Sequence, residues 1–109
     1  MEDIVKVIGS DDFAAVTQSG VVLVDFFAVW CRPCRMQLPI LEQMSRDFEG
    51  KAKIFKVDTD KSQDIAVQYG IQSIPTLIIL KDGEIIKQFV GLQQAETLKA
   101  ALENAISGA

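Results

Sequence analysis

The chain has 109 residues, 49% apolar and 24% charged, which is enough for one core of ordinary size over residues 1–109. Its net charge is −4, its pI is near 4.7 and its 11 Lys and Arg residues are scattered, so neither nucleic acid nor an anionic membrane is an expected partner. The opening "MEDIVKV" lacks a basic stretch followed by an apolar one, and the most apolar run, "VVLVDFFAVW", is short and interrupted by Asp25, so a cytoplasmic protein is expected.

In chain order, "IVKVI" (4–8) is β-branched and weakly alternating, the pattern of a strand. Ser10 stands where it can cap a short helix carrying Phe13 and Val16. "VVLVDFF" (21–27) is continuously apolar, as in a strand buried on both faces. From about Cys34 to Phe48, Met36, Ile40, Leu41, Met44 and Phe48 recur at helical spacing, and Gly50 ends the helix. "AKIFKVD" (52–58) reads as a strand, and "SQDIAVQY" (62–69) as a short helix stopped by Gly70. "TLIIL" (76–80) and "EIIKQFV" (84–90) flank Asp82-Gly83, a strong hairpin signal. "AETLKAALENAI" (95–106) carries Leu98, Ala101, Leu102 and Ile106 on one stripe. The order β-α-β-α-β-α-β-β-α predicts an α/β fold: a parallel sheet with helices on both faces, extended by an antiparallel hairpin.

Cys31 and Cys34, the only two cysteines, fall where strand 21–27 gives way to a helix. A bridge over so short a loop adds little by closure entropy, so the pair points to chemistry. Helix N-termini offer free N–H groups and a positive dipole end, which favour a thiolate at Cys31. Cys34 lies one helical turn on, within reach of the first sulfur. Pro33 falls in the first turn, where its missing N–H costs little. One activated and one resolving thiol result, with Cys31 expected to be exposed and Cys34 buried. Two inert buried thiols remain an alternative. Half a zinc site is another, but the chain has no His or further Cys to complete it. A c-type haem link would need His at position 35, which is Arg35.

With Trp30, Cys31, Pro33, Cys34, Ile74 and Pro75 in place, the sequence closely resembles the thioredoxin family. The likeness runs from "VVLVDFFAVWCRPCRM" through "KVDTD" and "YGIQSIPTLIILKDGE" to "FVG". It implies a central mixed five-stranded sheet flanked by four helices, and a thiol–disulfide oxidoreductase that reduces protein disulfides. Cys31 would be the nucleophile and Cys34 the resolving thiol. The redox group would be the Cys31–Cys34 disulfide itself, with no cofactor or metal. Partners would be disulfide-containing proteins and a thioredoxin reductase, and the protein would be a monomer.

By the same resemblance, Asp25 matches a buried aspartate that helps deprotonate Cys34, with a pKa raised by desolvation; a polar strand-end residue is the other reading. Lys56 matches the lysine beside it, or is a solvated strand lysine. Pro75 matches a cis-proline next to the active site. Ile74 would offer its backbone to an extended substrate. Trp30, Val90, Gly91 and Leu92 would line a shallow apolar docking surface, although Trp30 also reads as a core aromatic. Pro39 matches a proline that kinks the active-site helix. Where the family usually has Gly, this chain has Arg32; Phe27 and Val29 also depart from the common pattern. Arg32 would favour the thiolate and make the protein more oxidising, or would be a solvated arginine of little effect. An oxidant or isomerase, or a docking subunit without redox turnover, are the competing functions.

Overall fold

The computed structural model describes residues 4–108. Its elements are β1 (Lys6–Val7), α1 (Phe13–Thr17), β2 (Val21–Phe27), α2 (Arg32–Asp47), β3 (Lys53–Asp58), α3 (Gln63–Gln68), β4 (Thr76–Lys81), β5 (Glu84–Val90) and α4 (Ala95–Ser107). The five strands form one sheet in the order β1-β3-β2-β4-β5. β1, β3 and β2 run parallel, while β4 and β5 are antiparallel to their neighbours. The sheet is therefore mixed, and β2 lies at its centre, which is why "VVLVDFF" has almost no polar alternation.

Side-chain alternation along β2 divides the core in two. Val21 and Leu23 join Leu41, Met44, Leu98 and Leu102 on the face covered by α2 and α4. Val22, Val24 and Phe26 join Phe13, Val57 and Ile65 on the opposite face. Asp25 has the same parity as Leu23 and therefore points toward α2. Its neighbours in register are Lys56 on β3 and Leu77 on β4.

The strands at 21–27 and 84–90 have the expected bounds. At the hairpin both turn residues take positive φ, 51° at Asp82 and 87° at Gly83, as a right-twisted two-residue connection requires. Asp82 Oδ1 also accepts from Gly20 N–H at 2.8 Å, tying this turn to the start of β2.

Four local expectations are corrected. β1 spans only Lys6–Val7, because only those residues pair with β3. Ser10 does not cap α1; its hydroxyl donates to Asp64 across the fold, and Asp12 takes the N-cap position. Met36 is 54% exposed, and the buried stripe of α2 is Cys34, Gln37, Leu41 and Met44. On α4, Ala105 rather than Ile106 packs inward with Leu98 and Leu102. In α2 the inward position goes to Gln37, whose amide bonds to the Gln93 backbone, and in α4 to the small Ala105, which packs into the core.

Candidate active site

β2 ends at Phe27, and the chain turns through Ala28, Val29 and Trp30 into α2. Cys31 occupies the N-cap in an extended conformation, with φ −86° and ψ 114°. Its Sγ accepts from Cys34 N–H at 3.2 Å, so a helix-end amide points at this sulfur. Pro33 lies in the first turn, where no intrahelical donor is lost. Cys31 and Cys34 form a disulfide with Cα atoms 5.3 Å apart. Both cysteines are buried, at 5% and 4% exposure. The expected exposed Cys31 is thus corrected: in the disulfide state its sulfur turns inward and packs with Ala28, Phe27 and Ile74.

Asp25 lies beneath the pair. It is 2% exposed, and its Oδ1 has no hydrogen-bond partner among the described residues. Burial raises its pKa to about 7, with Lys56 pulling the other way. A cleft of about 270 Å³ joins Asp25 to Cys34 and is also lined by Ala28, Leu38 and Lys56. The Lys56 ammonium lies 5.4 Å from the centre of the Phe27 ring. Burial outweighs the pull of Lys56, so the Asp25 carboxyl holds its proton to higher pH than an exposed aspartate does.

Three segments border the disulfide. Trp30 is 67% exposed, so it is not a core aromatic, and its Nε1–H donates to Asp60 Oδ2 at 2.9 Å. The Ile74–Pro75 bond is cis and brings Ile74 against the cysteines. Gly91 N–H donates to Pro75 O at 2.8 Å, with Gly91 at φ 88°, a conformation suited to glycine. Val90 is exposed and Leu92 is half-buried beside it. Arg32 is exposed on the two-residue bridge between the sulfurs. The residues singled out in the sequence thus gather at one end of the sheet.

Sequence reasoning passed over several contributors. Arg35 donates from Nη1 to Val29 O at 3.1 Å and steadies the turn before the cysteines. Asp60 holds the Trp30 indole from a loop distant in sequence, and no local signal marks it. Gln37 is fully buried on α2 and bonds to Gln93. It does carry a signal: a polar residue three positions after Cys34 and four before Leu41 lies on the helix's buried stripe.

A disulfide between an N-capping cysteine and one a turn later, at the carboxyl end of a central strand, makes this protein a thiol–disulfide oxidoreductase that works by dithiol–disulfide exchange. The family model described as thioredoxin matches residues 4–104, and the chain belongs to the thioredoxin family. A thioredoxin of Staphylococcus epidermidis is 49% identical over 100 residues, covering 92% of this chain and 95% of its relative. One of Staphylococcus aureus is 48% identical over the same share of each. Among solved structures, thioredoxin of Malassezia sympodialis aligns with a TM-score of 0.85 at 37% identity, over 94% of this chain and 90% of the other. A mutant thioredoxin from Halobacterium salinarum aligns with a TM-score of 0.86 at 35% identity, over 97% and 95%.

Proposed function

We propose that this oxidoreductase reduces disulfides of protein substrates as a monomeric, single-domain cytoplasmic carrier, and is itself re-reduced by a thioredoxin reductase. The observation that carries the reading is the Cys34 amide aimed at Cys31 Sγ, which marks one sulfur of the pair for thiolate stabilisation. Among the described residues no helix is long and apolar enough to cross a membrane.

In this mechanism the Cys31 thiolate attacks one sulfur of the substrate disulfide. The S–S bond breaks, the far substrate sulfur leaves as a thiolate and takes a proton, and a mixed disulfide remains. Asp25, ionised, takes the Cys34 proton across the cleft that joins them, through a water where the distance requires one. The Cys34 thiolate then attacks Cys31 Sγ, releasing the second substrate thiol and closing the Cys31–Cys34 disulfide. Two electrons pass to the substrate in each cycle. Lys56 sits in register with Asp25 and favours its ionised form. Trp30, Pro33, Ile74, Pro75, Val90, Gly91 and Leu92 form the docking surface. Its apolar side chains cover the substrate, and the Ile74 backbone pairs with an extended segment.

NADPH, a bacterial thioredoxin reductase and catalytic amounts of this protein should together reduce a protein disulfide, followed as NADPH consumption. A protein that docks substrates but leaves NADPH unconsumed would be a binding subunit.

Arg32 tunes the potential in this reading. Its guanidinium meets a charge in the thiolate state and none in the disulfide, so it stabilises the reduced form and raises the potential. Because Arg32 is exposed, screening holds the effect to about 1 kcal/mol or less, or about 20 mV for two electrons. Arg32→Gly should lower the potential and make Cys31 less acidic, with a smaller difference at high salt. Equilibration against glutathione at two salt concentrations measures this. An equal or higher potential in the variant would leave Arg32 a solvated side chain.

A further inference from the structure

Gln37 lies on α2 one turn beyond Cys34 and has no solvent exposure. Its amide is used at both ends. Nε2–H donates to Gln93 O at 3.0 Å, and Oε1 accepts from Gln93 N–H at 2.8 Å. One side chain therefore reads both backbone groups of a single residue, as a neighbouring β-strand would. Gln93 in turn folds its own amide back onto the preceding loop. Its Nε2 donates to Val90 O at 3.3 Å and to Gly91 O at 3.1 Å. Gly91 N–H is held by Pro75 O at 2.8 Å. The segment after β5 is thus fastened on one side to the cis-proline loop and on the other to the active-site helix.

A buried primary amide is a poor choice for packing alone, because an apolar residue of the same volume has no groups to satisfy. Its return is directional: it fixes where the Gln93 backbone stands relative to α2. The sulfurs ride at the start of that helix. Val90, Gly91 and Leu92, one to three residues before the clamp, are the part of the docking surface beside the cis-proline loop.

We propose that Gln37 is a positioning residue for substrate docking, clamping the 90–93 segment at a set place beside the disulfide so that a protein substrate meets a preformed surface. This rests on the reading of that segment as a docking surface. A preformed loop binds more tightly than one ordered during binding, so the clamp acts on encounter with large substrates. It leaves the chemistry at sulfur unchanged, since Gln37 touches neither cysteine through a hydrogen bond among the described residues.

Gln37→Met keeps the volume and removes both hydrogen bonds. With the reductase-coupled assay, KM for a protein disulfide should rise about three- to tenfold, with kcat within about twofold. The rate on a small aromatic disulfide and the redox equilibrium with glutathione should both stay unchanged. Lower stability with an unchanged KM would make Gln37 a purely structural residue and overturn the proposal. An equal loss on small and protein disulfides would overturn it as well, by placing the effect at the sulfurs. A measurement on the unaltered protein serves if the variant does not fold: Gln93 N–H should exchange with deuterium at least about tenfold more slowly than exposed loop amides. Exchange at the exposed-loop rate would overturn the clamp. Val90→Asp separates the inference from the reading beneath it. If that variant raises KM and Gln37→Met does not, only the role of Gln37 fails. If Val90→Asp leaves KM unchanged, the docking surface itself fails, and the clamp's function falls with it.

Discussion

Cys31→Ser should abolish disulfide exchange, a loss of more than about a thousandfold, whereas Cys34→Ser should perform the first attack and stop at a mixed disulfide. The two sulfurs differ in what faces them. Cys31 Sγ sits at the N-cap of α2 and receives the Cys34 amide, so its negative charge is met by the helix end. Cys34 lies within the helix and faces the cleft toward Asp25. A serine hydroxyl at position 31 ionises far too weakly to attack a disulfide at neutral pH. At position 34 it leaves the nucleophile intact and removes only the resolving step. Mass spectrometry of non-reduced mixtures with a protein disulfide should find the covalent adduct with Cys34→Ser and none with Cys31→Ser. An adduct formed by Cys31→Ser would reverse the order of attack. The helix-end amide meets Cys31 Sγ, so the thiolate of the reduced pair is favoured at that sulfur. Iodoacetamide labelling of the reduced protein at neutral pH should therefore start at Cys31.

Asp25→Asn should stabilise the oxidised protein and slow resolution of the mixed disulfide. The folded-state pKa of Asp25 is about 7, raised mainly by burial, against an ordinary aspartate value near 3.8. Below about pH 4 the carboxyl is protonated whether the chain is folded or not, and it costs little. As pH rises from there toward 7, the unfolded chain loses this proton while the folded one keeps it, so stability falls. Above 7 the folded protein carries the buried charge, and the penalty levels off at about 4 kcal/mol. Asparagine cannot ionise, but its amide must also be desolvated, which leaves a net gain of about 2 kcal/mol at pH 8. Denaturant titrations of both proteins at pH 4 and pH 8 should show the gap opening at the higher pH. Turnover should drop about a hundredfold, the low end of the range for a lost general base. Equal stability gaps at the two pH values would show that Asp25 is not held protonated by the fold. A variant with lost stability and unchanged turnover would leave the aspartate a structural residue.

Much of the chemistry could be read locally. The C-x-x-C pair, Pro33 in the first helical turn and the strand leading into it lie within fourteen consecutive residues, and one helical turn sets the reach between the sulfurs. Asp25 also announced itself, since a carboxylate within "VVLVDFF" has no cheap solvated position. The hairpin at Asp82-Gly83 followed from the positive φ values that such a turn demands. Local rules were weaker where a residue had two uses. Ser10 had the composition of a cap, yet its hydroxyl bonds to Asp64 and the cap position falls to Asp12. Met36 and Ile106 had the hydrophobicity of core residues, yet Gln37 and Ala105 are buried in their place.

The sequence by itself determined the redox pair, its place at the end of a central strand and the class of fold that carries it. These depend on spacing within a turn, on period along a strand and on the order of elements, all of which act between near neighbours. Tertiary structure alone decided that Lys56 lies in register with Asp25, that Ile74 packs against the sulfurs, that Asp60 holds Trp30, and that Gln37 meets Gln93. It also decided that Cys31 is buried when oxidised. Each of these contacts joins segments far apart in the chain or depends on how neighbouring loops close over the helix end. Strand register and helix rotation choose among many partners of similar chemistry, and that choice is made by the packing of the whole core on both faces of the sheet.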